Sequence, residues 1–176
     1  NRPEYPADKI MANFRAAEKL YEIGFNQRYN ATAKDNFKNL ELNSNGEILL
    51  FRSSRMKQVH DVVDSIHNQF KRHVTVLAQP GVEQELKKNP NVSEVLLYGD
   101  SHFNQATFPE SLMGQLKKKS FSLGVIPFNN ISGNGYSEVK AIAKRSGIKK
   151  LVAVNVEGKV FDLENPGDFG RAHIPV

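Results

Sequence analysis

The sequence predicts an α/β domain of Rossmann-like type: an open, mostly parallel sheet of about five strands in the order 3-2-1-4-5, with helices on both faces and an extra N-terminal helix. Three observations predict it. Short apolar runs such as Ile48-Leu-Leu-Phe51 and Leu123-Gly-Val-Ile126 are uninterrupted, as in strands buried on both faces. Between them lie segments whose apolar residues recur at helical spacing, as in Val59, Val62, Val63, Ile66 and Phe70. The connections are short, and a repeated strand-helix-strand rhythm calls for parallel pairing through right-handed crossovers.

The elements follow in order. Residues 1–6 hold two prolines and no pattern, whereas Ile10, Phe14, Ala17, Leu20 and Tyr21 give an amphipathic helix over residues 8–25, with Asp8 as a cap and Gly24 near its end. Residues 26–46 are polar and end in the turn Asn43-Ser-Asn-Gly46, so residues 1–46 are read as a helical extension and linker. Ile48 to Phe51 is the first strand, Arg52-Ser53-Ser54 the loop at its carboxyl end, and the helix begins near Met56. His73 to Ala78 is the second strand; Pro80 suits the first turn of a short helix running through Lys88, which Asn89-Pro90-Asn91 breaks. Val92 to Tyr98 is the third strand, Pro109 to Lys118 the next helix, and Phe121 to Phe128 the fourth strand. The loop Pro127 to Tyr136 carries glycines and asparagines ahead of a helix with Val139, Ile142 and Ala143, which Gly147 closes. Lys150 to Val154 is the fifth strand, and Asn155 to Leu163 alternates around Glu157-Gly158 as a hairpin extension would. The Rossmann-like domain thus covers residues 47–163, and residues 164–176 read as a C-terminal tail or truncated linker.

Composition narrows the function classes. With 39% hydrophobic and 24% charged residues over 176 positions, the chain falls in the globular class. The net charge of +5 attracts anions, but lysines and arginines alternate with carboxylates except at Lys117-Lys118-Lys119, which suits a helix end, and no nucleic-acid-binding motif accompanies them. Nucleic acid is therefore not an expected partner. Cysteine is absent, which removes disulfides, thiolate metal sites and cysteine nucleophiles. Neither a long apolar span nor a signal-peptide core is present, so a cytoplasmic protein without a membrane span is expected. Asn-x-Ser/Thr triplets at Asn30, Asn91 and Asn130 carry little weight without a secretory context.

Taken together, Ile48-Leu-Leu-Phe-Arg-Ser-Ser-Arg-Met56 leading into Val59-His60, then Val74-Thr-Val-Leu-Ala-Gln-Pro-Gly81, then Pro90-Asn-Val-Ser-Glu-Val95, resemble the N-terminal domain of the heptosyltransferase-type (family 9-like) GT-B glycosyltransferases of bacterial lipopolysaccharide synthesis. The resemblance runs over roughly residues 47–128. It implies a sugar or glycan acceptor as ligand, and a second, C-terminal domain that binds the nucleotide sugar. In that family the first loop reads Met-Gly-Asp, the Asp serving as base on the acceptor hydroxyl; here Met56 is followed by Lys57 and Gln58. A glutamine takes up no proton at neutral pH, and a lysine needs a strongly lowered pKa to do so. The chain is expected either to be the acceptor-side half of such an enzyme, inactive alone, or to be a non-catalytic binding or interaction module of the same fold.

In open α/β sheets ligands bind at the carboxyl ends of the strands where strand order reverses. The ligand-binding candidates are therefore Ser53, Ser54 and Arg55 in the first loop, Gln79 after the second strand, and Asn129, Asn130, Gly133 and Asn134 after the fourth. Hydroxyls and amides suit sugar hydroxyls, and Arg55 at a helix N-terminus suits an anionic group. The same residue types also serve as ordinary caps and turn formers. The first loop lacks the glycine spacing of dinucleotide and P-loop sites, so no cofactor is expected. His60, His67, His73, His102 and His173 lack metal-site spacing, so no metal is expected either. Asp61 and Asp64, the carboxylates nearest the altered loop, are expected to face solvent because Val62 and Val63 must face the sheet.

Overall fold

The computed structural model describes residue 16, residues 37, 38 and 40–42, and residues 45–164. Apart from that single residue 16, the helix expected over residues 8–25 lies outside the described residues, as does the tail after residue 164. The strands are β1 (Ile48–Phe51), β2 (Val74–Ala78), β3 (Val92–Leu97), β4 (Leu123–Pro127), β5 (Leu151–Val154) and β6 (Val160–Asp162). The helices are α1 (Met56–Phe70), α2 (Glu83–Leu86), α3 (Glu110–Lys119) and α4 (Ser137–Arg145). One sheet holds all six strands in the order β3-β2-β1-β4-β5-β6. β1 pairs parallel with both β2 and β4, Leu50 standing opposite Val76 on one side and Val125 on the other. Only β6 runs antiparallel, with Ala153 opposite Phe161, and it is the hairpin extension that the alternation around Glu157-Gly158 predicts.

The apolar runs divide by alternation. Ile48 and Leu50 of β1 join Val59, Val62, Val63 and Ile66 of α1 on one face of the sheet. Leu49 and Phe51 join Leu112 and Leu116 of α3 and Val139 and Ile142 of α4 on the other. A strand buried along its whole length favours apolar residues at every position, which is why β1, β4 and β5 read as continuous runs and β2 departs only at the buried Thr75. β3, at the sheet edge, is only partly covered, and Leu97 is 44% exposed. The crossovers after β1 and β2 lie on the α1 face and those after β3 and β4 on the opposite face, so the switch point falls between β1 and β4.

One expectation is corrected. The helix expected from Pro80 through Lys88 is confined to Glu83–Leu86, because Gly81 takes φ +94° and Pro80 belongs to the preceding turn. Within the residues read as linker, one side chain joins the core. Phe37 is 2% exposed and stands edge-on to Phe70, the ring centroids 6.1 Å apart, so its ring packs against the end of α1.

Candidate functional site

At the carboxyl ends of β1, β2 and β4 the structure leaves a crevice of about 550 Å³. The loop after β1 supplies Arg52, Ser53, Ser54 and Arg55 to its lining, and β2 hands over Gln79. Asn129 and Asn134 from the loop after β4 form the facing wall. Six of the eight ligand-binding candidates therefore come together in one cavity, through a topology that brings residues far apart in sequence to one switch point.

Asn130 and Gly133 are the exceptions, and both hold the loop's shape instead. Asn130 accepts the Gly133 N–H at 2.6 Å and donates to Asn134 O at 2.9 Å, so its amide is turned inward on its own loop. Gly133 is buried at φ +73°, where a Cβ would lie 2.4 Å from Cε2 of Phe128. Only glycine lets that loop lie flat against the ring.

Three cross-links brace the two loops. Ser53 Oγ donates to Pro127 O at 2.8 Å. The Tyr136 hydroxyl accepts the Asn129 N–H at 2.7 Å and donates to Ser53 O at 3.1 Å. Beneath them Gln58, fully buried, donates from Nε2 to Phe128 O at 3.0 Å. Val154 O and Asn155 O each lie 3.4 Å from the same nitrogen. The crevice is thus a preformed space between tied walls. Ser53 belongs as much to the brace as to the lining.

The anion-attracting groups gather on the first-loop side. Arg52 donates from Nη1 to Gln79 Oε1 at 3.1 Å, and its backbone N–H bonds Leu77 O at 2.8 Å, which fixes the root of the side chain on β2. Its Nε is buried without a hydrogen-bond partner among the described residues. Ser54 is 7% exposed, and its Oγ likewise has no partner among them. Arg55 occupies the N-cap of α1 in extended conformation and provides no side-chain cap, and no acidic residue stands in that helix's first turn. The positive end of the α1 dipole is consequently not offset locally.

Sequence reasoning did not single out the third wall. Ser101, His102 and Phe103 of the loop after β3, with Tyr136, Glu138 and Val139 at the start of α4, complete the lining. Phe103 stacks on Tyr98 at 5.4 Å between ring centroids, which presents an aromatic wall to the cavity. Glu138 is the carboxylate of the lining, and its Oε2 accepts the Gln105 N–H at 2.6 Å. The aromatic cluster Tyr98, Phe103 and Phe108 was the available signal, since a polar loop punctuated by aromatics must anchor somewhere.

The residues after Met56 do not face the crevice. Lys57 points outward to Asp61 at 2.9 Å, and Gln58 is committed beneath the β4 loop. Asp61 is partly exposed, as expected, but Asp64 is not simply turned to solvent. It accepts hydrogen bonds from Asn89 at 3.0 Å and Asn91 at 2.9 Å in a separate hollow beside α2. Near the crevice, Lys140 lies 5.3 Å from the centroid of the Phe128 ring, and burial, helped by Lys144, lowers its pKa. Among the described residues no group of three or more His, Asp or Glu is placed to hold a metal, and no helix is long and apolar enough to cross a membrane. Comparison with protein-family models, with curated proteins and with solved structures finds no match, so the likeness to the heptosyltransferase-type enzymes rests on the sequence motifs alone.

Proposed function

We propose that this domain binds a carbohydrate-type ligand in the switch-point crevice, as the acceptor-side half of a GT-B-like glycosyltransferase whose nucleotide sugar is held by another domain. One observation carries the reading: hydroxyl, amide and guanidinium groups from three strand ends line a single braced cavity that also has an aromatic wall. Amides and hydroxyls both donate and accept, as sugar hydroxyls do, and an aromatic face covers the apolar C–H side of a sugar ring. The size of the space, about 550 Å³, suits a mono- or disaccharide-sized ligand. The brace supports binding too, since walls fixed beforehand lose little conformational freedom when a ligand enters.

A second reading, a non-catalytic binding module of the same fold, is favoured by Gln58. At the position where the resembled family carries its base, this chain places a buried amide engaged with Phe128 O. Amide chemical-shift titration with neutral mono- and disaccharides tests binding, with perturbations expected at Ser54, Gln79, Asn129 and Asn134. Transfer from a panel of nucleotide sugars by the native gene product tests the catalytic role. Crevice binding without transfer selects the non-catalytic module, and perturbations confined to surfaces away from the crevice refute both readings.

A further inference from the structure

We infer that the crevice contains a dedicated oxyanion subsite at the N-terminus of α1, and that the ligand reaching it carries a phosphoryl group: a sugar phosphate rather than a neutral sugar. This rests on the carbohydrate reading above and adds the charge of the ligand to it. The subsite is assembled from Ser54, Arg52, Arg55 and the positive end of a helix 15 residues long.

Two observations independent of the helix end point to a ligand. Ser54 is 7% exposed, lines the cavity, and leaves its Oγ with no partner among the described residues. A buried hydroxyl without a partner is destabilising by about 1–3 kcal/mol, so folding alone gives no reason to keep one there. Rotation about χ1 moves the hydroxyl among staggered positions, which lets it turn toward an entering acceptor. The second observation is Arg52. Its guanidinium has five donors, of which Nη1 is directed to Gln79 Oε1, while Nε is buried with no partner among the described residues. An unfilled donor set on a side chain anchored at the cavity wall matches an acceptor with several oxygens, and a phosphoryl group presents three.

The charges lining the crevice agree. Arg52 and Arg55 stand on the first-loop side, and the carboxylate of the lining, Glu138, enters from the start of α4 and is held by the Gln105 N–H. His102 lies on the third wall. A ligand with one anionic and one neutral end would therefore place its phosphoryl group toward α1 and its hydroxyls toward Asn129 and Asn134. A carboxylate has two oxygens in one plane, whereas donors arriving from a helix end, a loop hydroxyl and a β-strand terminus approach from several directions, which suits a tetrahedral group.

The test uses the whole chain and three probes: glucose 1-phosphate, glucose and inorganic phosphate, each followed by calorimetry and amide shifts. The sugar phosphate is expected to bind at least about tenfold more tightly than glucose, with shifts at residues 53–57, and to weaken as salt is raised. Ser54→Ala is expected to weaken the sugar phosphate about tenfold and glucose by a clearly smaller factor. The same substitution is expected to raise the unfolding temperature, because it removes an unpartnered hydroxyl. That opposition separates a ligand-binding serine from a merely structural one, which would lose stability on truncation. Arg52→Gln removes the guanidinium, its contact to Gln79 included, and is expected to abolish the preference for the phosphorylated probe. Equal affinity for glucose and its phosphate overturns the subsite while leaving the carbohydrate reading intact. Crevice shifts with none of the three probes overturn both. Inorganic phosphate binding that survives Ser54→Ala and Arg52→Gln shows an adventitious ion only and also overturns the subsite.

Discussion

Replacing Gln58 tests whether the first helix turn is a structural tie or an open functional position. Gln58 is fully buried, and its Nε2 approaches three backbone carbonyls, Phe128 O at 3.0 Å and Val154 O and Asn155 O at 3.4 Å each. Two of these have other donors: Val154 O accepts the Phe128 N–H at 2.7 Å, and Asn155 O accepts the Gly158 N–H at 2.9 Å. The shortest contact removed by Gln58→Met is the one to Phe128 O. Methionine matches the volume, so the cavity contribution is small. Removing the donor from one buried carbonyl is expected to destabilise the domain by about 1–3 kcal/mol. Gln58→Glu is harsher at neutral pH. An ionised carboxylate would face carbonyl oxygens, so the native state favours the protonated form and the Glu pKa rises above its usual value of about 4.3. With the native pKa raised, the native state binds the proton more tightly than the unfolded chain does, so stability falls as pH climbs past about 4.3 and stays low at pH 7. Urea unfolding at pH 4 and pH 7, with an unchanged slope, is the assay. A Gln58→Met midpoint indistinguishable from wild type, or a Gln58→Glu protein equally stable at both pH values relative to wild type, would refute the tie and reopen position 58 to a base.

The remaining predictions concern the brace and the opposite end of the sheet. Gly133→Ala is expected to destabilise by roughly 2–4 kcal/mol, since φ +73° is unfavourable for alanine and the new Cβ meets the Phe128 ring. Gly135→Ala, at φ +84° with nothing within 4 Å, is expected to lose only about 1–2 kcal/mol; equal thermal shifts would show that the ring yields. Tyr136→Phe removes the hydroxyl contact to Ser53 O across the loops and the one to the Asn129 N–H within the β4 loop, and is expected to cost about 1–2 kcal/mol and to accelerate hydrogen exchange at Asn129, whereas unaltered protection there would show that the loops are held otherwise. Lys119 has its pKa raised, first by the hydrogen bond to Glu94 and then, against burial, by the charges of Glu47 and Glu94. A raised lysine pKa stabilises fully below the unfolded value of about 10.5 and loses that contribution as pH rises through the native value. Glu94→Gln is therefore expected to lose under about 1 kcal/mol at pH 8 and to flatten the stability decline near pH 11, as read by urea midpoints at the two pH values.

The parts of the fold legible in the sequence are those whose physics is local. Ile48–Phe51 and Leu123–Pro127 could be read because a strand covered on both faces needs an apolar residue at every position. The Val59, Val62, Val63, Ile66 stripe could be read because one face of α1 meets the sheet. Phe37 was not legible, since a single aromatic in a polar segment carries no period, and only the folded chain shows it edge-on to Phe70. The position of the crevice was legible from strand order. The division of labour within it was not. Asn129 lines the cavity and Asn130, its neighbour, caps the loop, because side-chain direction in an irregular loop depends on Gly133 and Tyr136 downstream. Lys57 and Gln58 were singled out for what they cannot do as bases, but nothing in the sequence signalled that Gln58 would reach Phe128 O, 70 residues away in sequence.

That reach constrains any catalytic account. A base must sit within hydrogen-bond distance of the proton it takes, and Gln58 lies below the cavity floor with its amide directed at the β4 loop. Substituting a carboxylate there would exchange a tie for a buried charge before it created a base, so bracing and proton transfer exclude each other at this position. Lys57 is directed away, paired with Asp61. Among the described residues, the histidine and the carboxylate that line the cavity, His102 and Glu138, are brought in by the loop after β3 and the start of α4 rather than by the first loop. Neither Lys57 nor Gln58 is therefore placed to deprotonate a ligand in the crevice. Under the oxyanion proposal the two sides of the crevice would have different work, the first loop with Arg52 and Arg55 holding charge and the far wall meeting hydroxyls.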